Sequence, residues 1–127
     1  MASRTKLRSL LMSSCAALVV IWSGIGAAQV PVVTGEHWTR STPDLKKAYL
    51  IGIANVIQVE TAYYAANPPA DGQNFVPRLA KGLQGQTLDS VRDALDKWYA
   101  DNPGQQQRAV IETIWFELAM PGLQKAR

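Results

Sequence analysis

The chain has 127 residues, 47% of them hydrophobic, and a formal net charge of +3. That length suits one small domain and argues against a second. Arg4, Lys6 and Arg8 are the only charges before Glu36, and the ten remaining bases balance the ten acids, so the positive surplus belongs to the extreme N-terminus and argues against a nucleic-acid or acidic-membrane role for the rest.

Residues 1–28 have the three-part order of a secretory signal peptide: a basic start, an apolar stretch from Leu10 to Ile25, and Gly26-Ala27-Ala28 as a small-residue cleavage site. Cleavage after Ala28 leaves a mature chain of 99 residues beginning at Gln29. An uncleaved anchor is the rival reading, because Leu10 to Ala28 approaches the length of a membrane span. Either route carries the remainder out of the cytoplasm, and the expected location is the periplasm. Cys15 is the only cysteine and lies in the leader, so the mature domain has neither a disulfide nor a thiol nucleophile.

Residues 29–41 read as an irregular lead-in. Ser41-Thr42-Pro43-Asp44 then supplies a hydroxyl cap, a proline for the first helical position and an acid for the positive end of the dipole. The spacing predicts a helix over Pro43–Ala66, stopped by Asn67-Pro68-Pro69. Two apolar rows run along it. Leu45, Tyr49, Gly52, Val56, Val59 and Tyr63 alternate at steps of four and three, beside Leu50, Ile53, Ile57 and Tyr64. Both rows are expected to face the centre of a bundle, with Ala48 and Gly52 letting another helix come close. Asn55, Gln58 and Glu60 argue against a membrane span.

Ala70–Gln86, rich in turn residues, reads as a loop with one short helical turn starting near Pro77. Thr87 caps a second helix ending near Ala100, with Leu88, Val91, Leu95, Trp98 and Tyr99 on one face and an Asp93–Lys97 ion pair. Asn102-Pro103 with Gln105 resembles a capping box, opening a third helix that buries Val110, Ile111, Ile114, Trp115 and Leu118 and ends at Met120, before Pro121-Gly122. The fold expected is all-α: a compact bundle of three main helices plus one short helix over residues 42–123, with 124–127 as a C-terminal tail. No strand pattern competes outside the lead-in.

Chemical signals are sparse. Glu60 falls near the middle of the apolar arc, which predicts a buried carboxylate with a structural partner or, alternatively, a ligand-binding or pH-sensing role. His37, the only histidine, is grouped with Glu60 as a buried polar residue for ligand binding or pH sensing; with no second histidine and no mature cysteine, no metal site is expected. Catalytic signatures are missing, so the reading is non-enzymatic and without a cofactor. Phe75 and Arg78 in the loop segment, and Phe116 off the third helix's stripe, are the candidate partner contacts.

Tyr49-Leu50-Ile51-Gly52-Ile53, Val76-Pro77, Thr87-Leu88, Trp98-Tyr99 with Asn102-Pro103, and a last helix stopping at Pro121 together resemble the Rap/Tai group of periplasmic immunity proteins over residues 42–123. That resemblance implies an exported helical protein that neutralises a peptidoglycan amidase effector by binding it. Members typically carry helix-stapling cysteines, which this mature chain does not. Small exported acid-stress chaperones, sharing size, compartment and helical content, are the other neighbour; in that reading Glu60 and the Asp89, Asp93, Asp96 group act as acid triggers. A protein-binding module with another envelope protein as partner is the leading expectation, ahead of the chaperone and of a small ligand-binding protein using Glu60.

Overall fold

Asp96 holds three helices with one carboxylate oxygen: its Oδ1 accepts 2.7 Å hydrogen bonds from Trp38 Nε1 and from Lys46 Nζ. These residues lie on α1 (Gly35–Arg40), α2 (Pro43–Ala66) and α4 (Leu88–Asp101); α3 (Phe75–Gly82) lies between the last two in sequence. A 3₁₀ turn (Pro103–Gln105) precedes a continuous helical run made of α5 (Val110–Thr113), a π-helical segment (Ile114–Ala119) and α6 (Met120–Lys125). The computed structural model describes residues 31–68 and 74–125; the expected signal peptide with Cys15, the first part of the expected 70–86 loop and residues 126–127 lie outside them. Among the described residues the protein is all-helical, with five helices when the last run is taken as one, and a single antiparallel bridge links Thr34 to Ala109.

α2 has the expected bounds. Thr42 Oγ1 accepts from the Leu45 amide at 3.4 Å, and the Asn67 side chain donates to the Tyr63 carbonyl at 3.2 Å. At the start of α4, Thr87 and Ser90 cap each other reciprocally: Thr87 Oγ1 accepts from the Ser90 amide at 3.0 Å and Ser90 Oγ from the Thr87 amide at 2.9 Å.

Elsewhere the chain departs from expectation. The lead-in contains a helix, α1, because Trp38 is fully buried and the backbone before it is tied to a distant segment. Gly35 and Glu36 donate to the Arg108 and Gln106 carbonyls at 3.0 and 2.8 Å, and Val110 donates to Val33 at 2.9 Å. The short helix α3 starts at Phe75, two residues before Pro77, which sits where a first-turn amide has no helical partner and its loss costs little. Asn102 closes α4 rather than opening the next helix: its side chain donates to the Trp98 carbonyl at 2.8 Å. Only a 3₁₀ turn follows Pro103, and the last helix begins at Val110.

That helix also passes through Pro121. Met120 donates five residues back, to the Trp115 carbonyl, and this widened turn relieves the clash a proline ring makes in a regular helix. The helix reaches Lys125, so the expected 124–127 tail is in part helical. Pairing on α4 differs as well, since Lys97 meets Asp101 at 2.6 Å while Asp93 and Asp89 both bind Arg92, at 2.8 and 2.9 Å.

The core comprises Trp38, Leu50, Leu79, Val91, Leu95, Tyr99, Val110, Ile114 and Ala119, drawn from every helix except α6. Tyr99 donates to the Arg108 carbonyl at 3.1 Å, and its hydroxyl lies 2.9 Å from that of Thr113. Close helix approach occurs between α3 and α6, where a methyl group on Gly82 would overlap the Ala119 backbone and one on Gly122 the Gly82 carbonyl. At Gly52, where such contact was expected, an added methyl meets open space.

Candidate interaction surface

The π-helical segment carries two adjacent aromatic side chains, Trp115 and Phe116, each met by an arginine from elsewhere in the chain. Such segments shift the side chains that follow out of the regular helical register, and here Trp115 and Phe116 take up separate groups of neighbours. Phe75 of α3 packs on Trp115 with ring centroids 4.8 Å apart, and the Arg78 guanidinium lies 5.2 Å from the same ring. Arg108 lies 5.5 Å from the Phe116 ring and 4.9 Å from Trp98, and is fixed by a 2.8 Å ion pair with Glu117.

These contacts set two guanidinium groups over indole rings, 5.2 and 4.9 Å from the ring centroids, while Phe75 and Phe116 stay 47% and 53% exposed. Immobilised arginine and aromatic groups suit protein recognition, because little side-chain entropy remains to be lost when a partner arrives. Of the three expected partner contacts, Phe75 and Arg78 share the Trp115 ring, while Phe116, the next residue along the chain, belongs to the Arg108 group. Sequence reasoning missed Arg108, Trp98 and Trp115 as members of the set. A run of aromatics beside Arg108 was its only local signal, and the join depends on how α4 packs against the π segment.

Glu60 and His37 occupy different surroundings from those expected. Glu60 is half-buried rather than central: it flanks a shallow groove on α2 with Asn55, Val56, Val59, Tyr63 and Tyr64. His37 is exposed, and its Nδ1 accepts from the Thr34 amide at 3.2 Å, closing the N-terminus of α1. The full burial expected for them is therefore not found: Glu60 sits at the margin between the inner and outer rows of α2, and His37 at the exposed start of α1.

Most of the first apolar row of α2 faces water, Tyr49 being the exception, half-buried with its ring 6.2 Å from that of Trp38. Leu45, Val56, Val59 and Tyr63 are 62%, 58%, 72% and 61% exposed, whereas Leu50, Ile53 and Ile57 from the second row pack inward. A cavity of about 290 Å³ lies between α2, α3 and α4, bounded by Leu50, Ile53, Ile57, Leu83, Val91 and Ile114 with Gln58 and Gln86 also on its wall. No titratable side chain lines it, so what it can offer a guest is apolar burial. Among the described residues no three His, Cys, Asp or Glu side chains gather as a metal site, and no helix is long and apolar enough to cross a membrane.

Burial pushes the pKa of two phenols above the ordinary tyrosine value, Tyr49 with a further push from nearby Tyr99, and Tyr99 against the opposing pull of its Thr113 hydrogen bond and of Arg108. Both are structural groups of the core and its margin. The chain matches no protein-family model, no curated protein and no solved structure.

Proposed function

We propose that this protein is a non-enzymatic binding module of the cell envelope, exported by residues 1–28 to the periplasm, that grips another protein with the Phe75–Arg78–Trp115–Phe116–Arg108 edge. The observation that carries the reading is the pair of half-exposed phenylalanines flanked by arginines already immobilised on Trp115 and Trp98. Residues of these types, packed and pre-positioned, supply most of the binding energy at protein interfaces. An immunity-type inhibitor of an envelope-targeted amidase is the form of this function that fits the resemblance over residues 42–123.

A photo-reactive amino acid at position 116 tests the proposal in cells, with position 92, on the outer side of α4, as the control. Light should join position 116 to one polypeptide of defined mass, and Arg78→Ala should abolish the adduct without changing the helical circular dichroism. Equal labelling from positions 116 and 92, or an adduct indifferent to Arg78→Ala, overturns it.

A further inference from the structure

The outer row of α2 is not part of that edge, and it is the longest run of uncovered apolar side chains on the described surface. We propose that it forms the seam of a homodimer in which α2 of a second copy packs antiparallel as a short coiled coil. Leu45, Tyr49, Gly52, Val56, Val59 and Tyr63 follow the four-three alternation that keeps a helix facing a partner helix, over about 27 Å at 1.5 Å per residue.

An antiparallel register is self-complementary. It sets Leu45 against Tyr63 of the second copy, Tyr49 against Val59 and Gly52 against Val56, so that the smallest residue of the row meets a branched one. A parallel register would stack Gly52 on Gly52 and leave a hole. Charge agrees with the antiparallel choice, because the flanking positions bring Lys46 opposite Glu60 of the second copy at both ends. Lys46 is only 13% exposed, bonded to Asp96 with its ammonium 5.5 Å from the Trp38 ring, and it is the remaining ammonium protons that Glu60 would meet; Glu60 makes no ion pair among the described residues.

Shape agrees too. The exposed Tyr63 ring of one copy lands where Val32, Trp38, Leu45 and Tyr49 of the other line a groove. Of the eight large hydrophobic side chains exposed among the described residues, Val32, Leu45, Val56, Val59 and Tyr63 are covered together by this one contact.

Sedimentation of the full chain should give twice the mass of 13.9 kDa. Val59→Asp should weaken association about tenfold or more while leaving the helical spectrum intact, since position 59 touches nothing in the folded chain that needs an apolar group. Glu60→Lys, which sets like charges face to face, should weaken it as well. In a Cys15→Ser background, Leu45→Cys with Tyr63→Cys should oxidise to a covalent dimer, whereas Leu45→Cys alone should not; the single variant cross-linking efficiently overturns the antiparallel register. One-chain mass at every concentration reached overturns the dimer, as does a photo-adduct from position 59 that maps to residues 1–30 of the same chain or to a different protein. None of these outcomes bears on the position 116 adduct, so the two proposals fail separately.

Discussion

The corner where α1 meets α4 and the outer face of α2 use the same residue types, aromatic and branched side chains at helical spacing, but stand in opposite relation to water. At the corner Trp38, Leu95 and Tyr99 are fully buried, and their polar atoms are answered by Asp96, Thr113 and the Arg108 carbonyl. On α2, Leu45, Val56, Val59 and Tyr63 have no described element over them. The difference comes from the supply of neighbours. α2 has 24 residues, about 36 Å of helix, and α3 and α4 pack against one side of it. Its apolar arc is wider than the other described helices cover, and the excess is the surface that the proposed dimer would bury.

The contrast breaks most sharply at Leu95. Leu95→Ala should cost about 2–5 kcal/mol in urea or thermal unfolding, because a fully buried leucine leaves a cavity that the surrounding helices fill only in part. Next comes Gly82→Ala, expected to cost about 1–3 kcal/mol, since the new methyl displaces the Ala119 backbone and separates α3 from α6.

Alkaline pH should expose the corner without mutation. Tyr49 and Tyr99 resist ionisation when folded, so the unfolded chain loses those protons first; stability is full below the ordinary tyrosine value of 10.0 and falls as pH rises from there through the raised folded values. Absorbance near 295 nm should show two tyrosines titrating late, and denaturant midpoints should drop over the same range; midpoints that stay level there would refute the assignment. The smallest effect is of opposite sign. Gly52→Ala should gain about 0.5–1 kcal/mol in dilute, single-chain conditions, where an added methyl meets open space and the helix loses a flexible position.

Local signals were legible where the chemistry is local. The Thr42 and Thr87 caps and the stop at Asn67 mark α2 and the start of α4 closely, because each acts within four residues of itself. Signals open to two local readings misled. Asn102-Pro103 has the composition of a helix start, yet the Asn102 amide serves the Trp98 carbonyl behind it, and Pro121 has the look of a stop but is accommodated by a π turn. Lys97 could reach either Asp93 or Asp101 at equal spacing, and Arg92 decided the matter by occupying Asp93. Among site residues, Phe75, Arg78 and Phe116 were chosen singly; that the first two share the Trp115 ring was beyond any pattern along the chain.

By itself the sequence determined that the folded part is helical, where α2 and α4 begin and end, and which residues make an apolar arc on each. Periodicity and capping act over one or two turns, so they are written in neighbouring residues. Tertiary structure alone decided which half of the α2 arc is buried, that Gly82 and Gly122 rather than Gly52 make the close crossing, and that α1 forms at all, held by the carbonyls of Gln106 and Arg108. Burial depends on which elements arrive on which side, and a helix whose apolar arc exceeds its neighbours carries no local mark of the side that will be left to water.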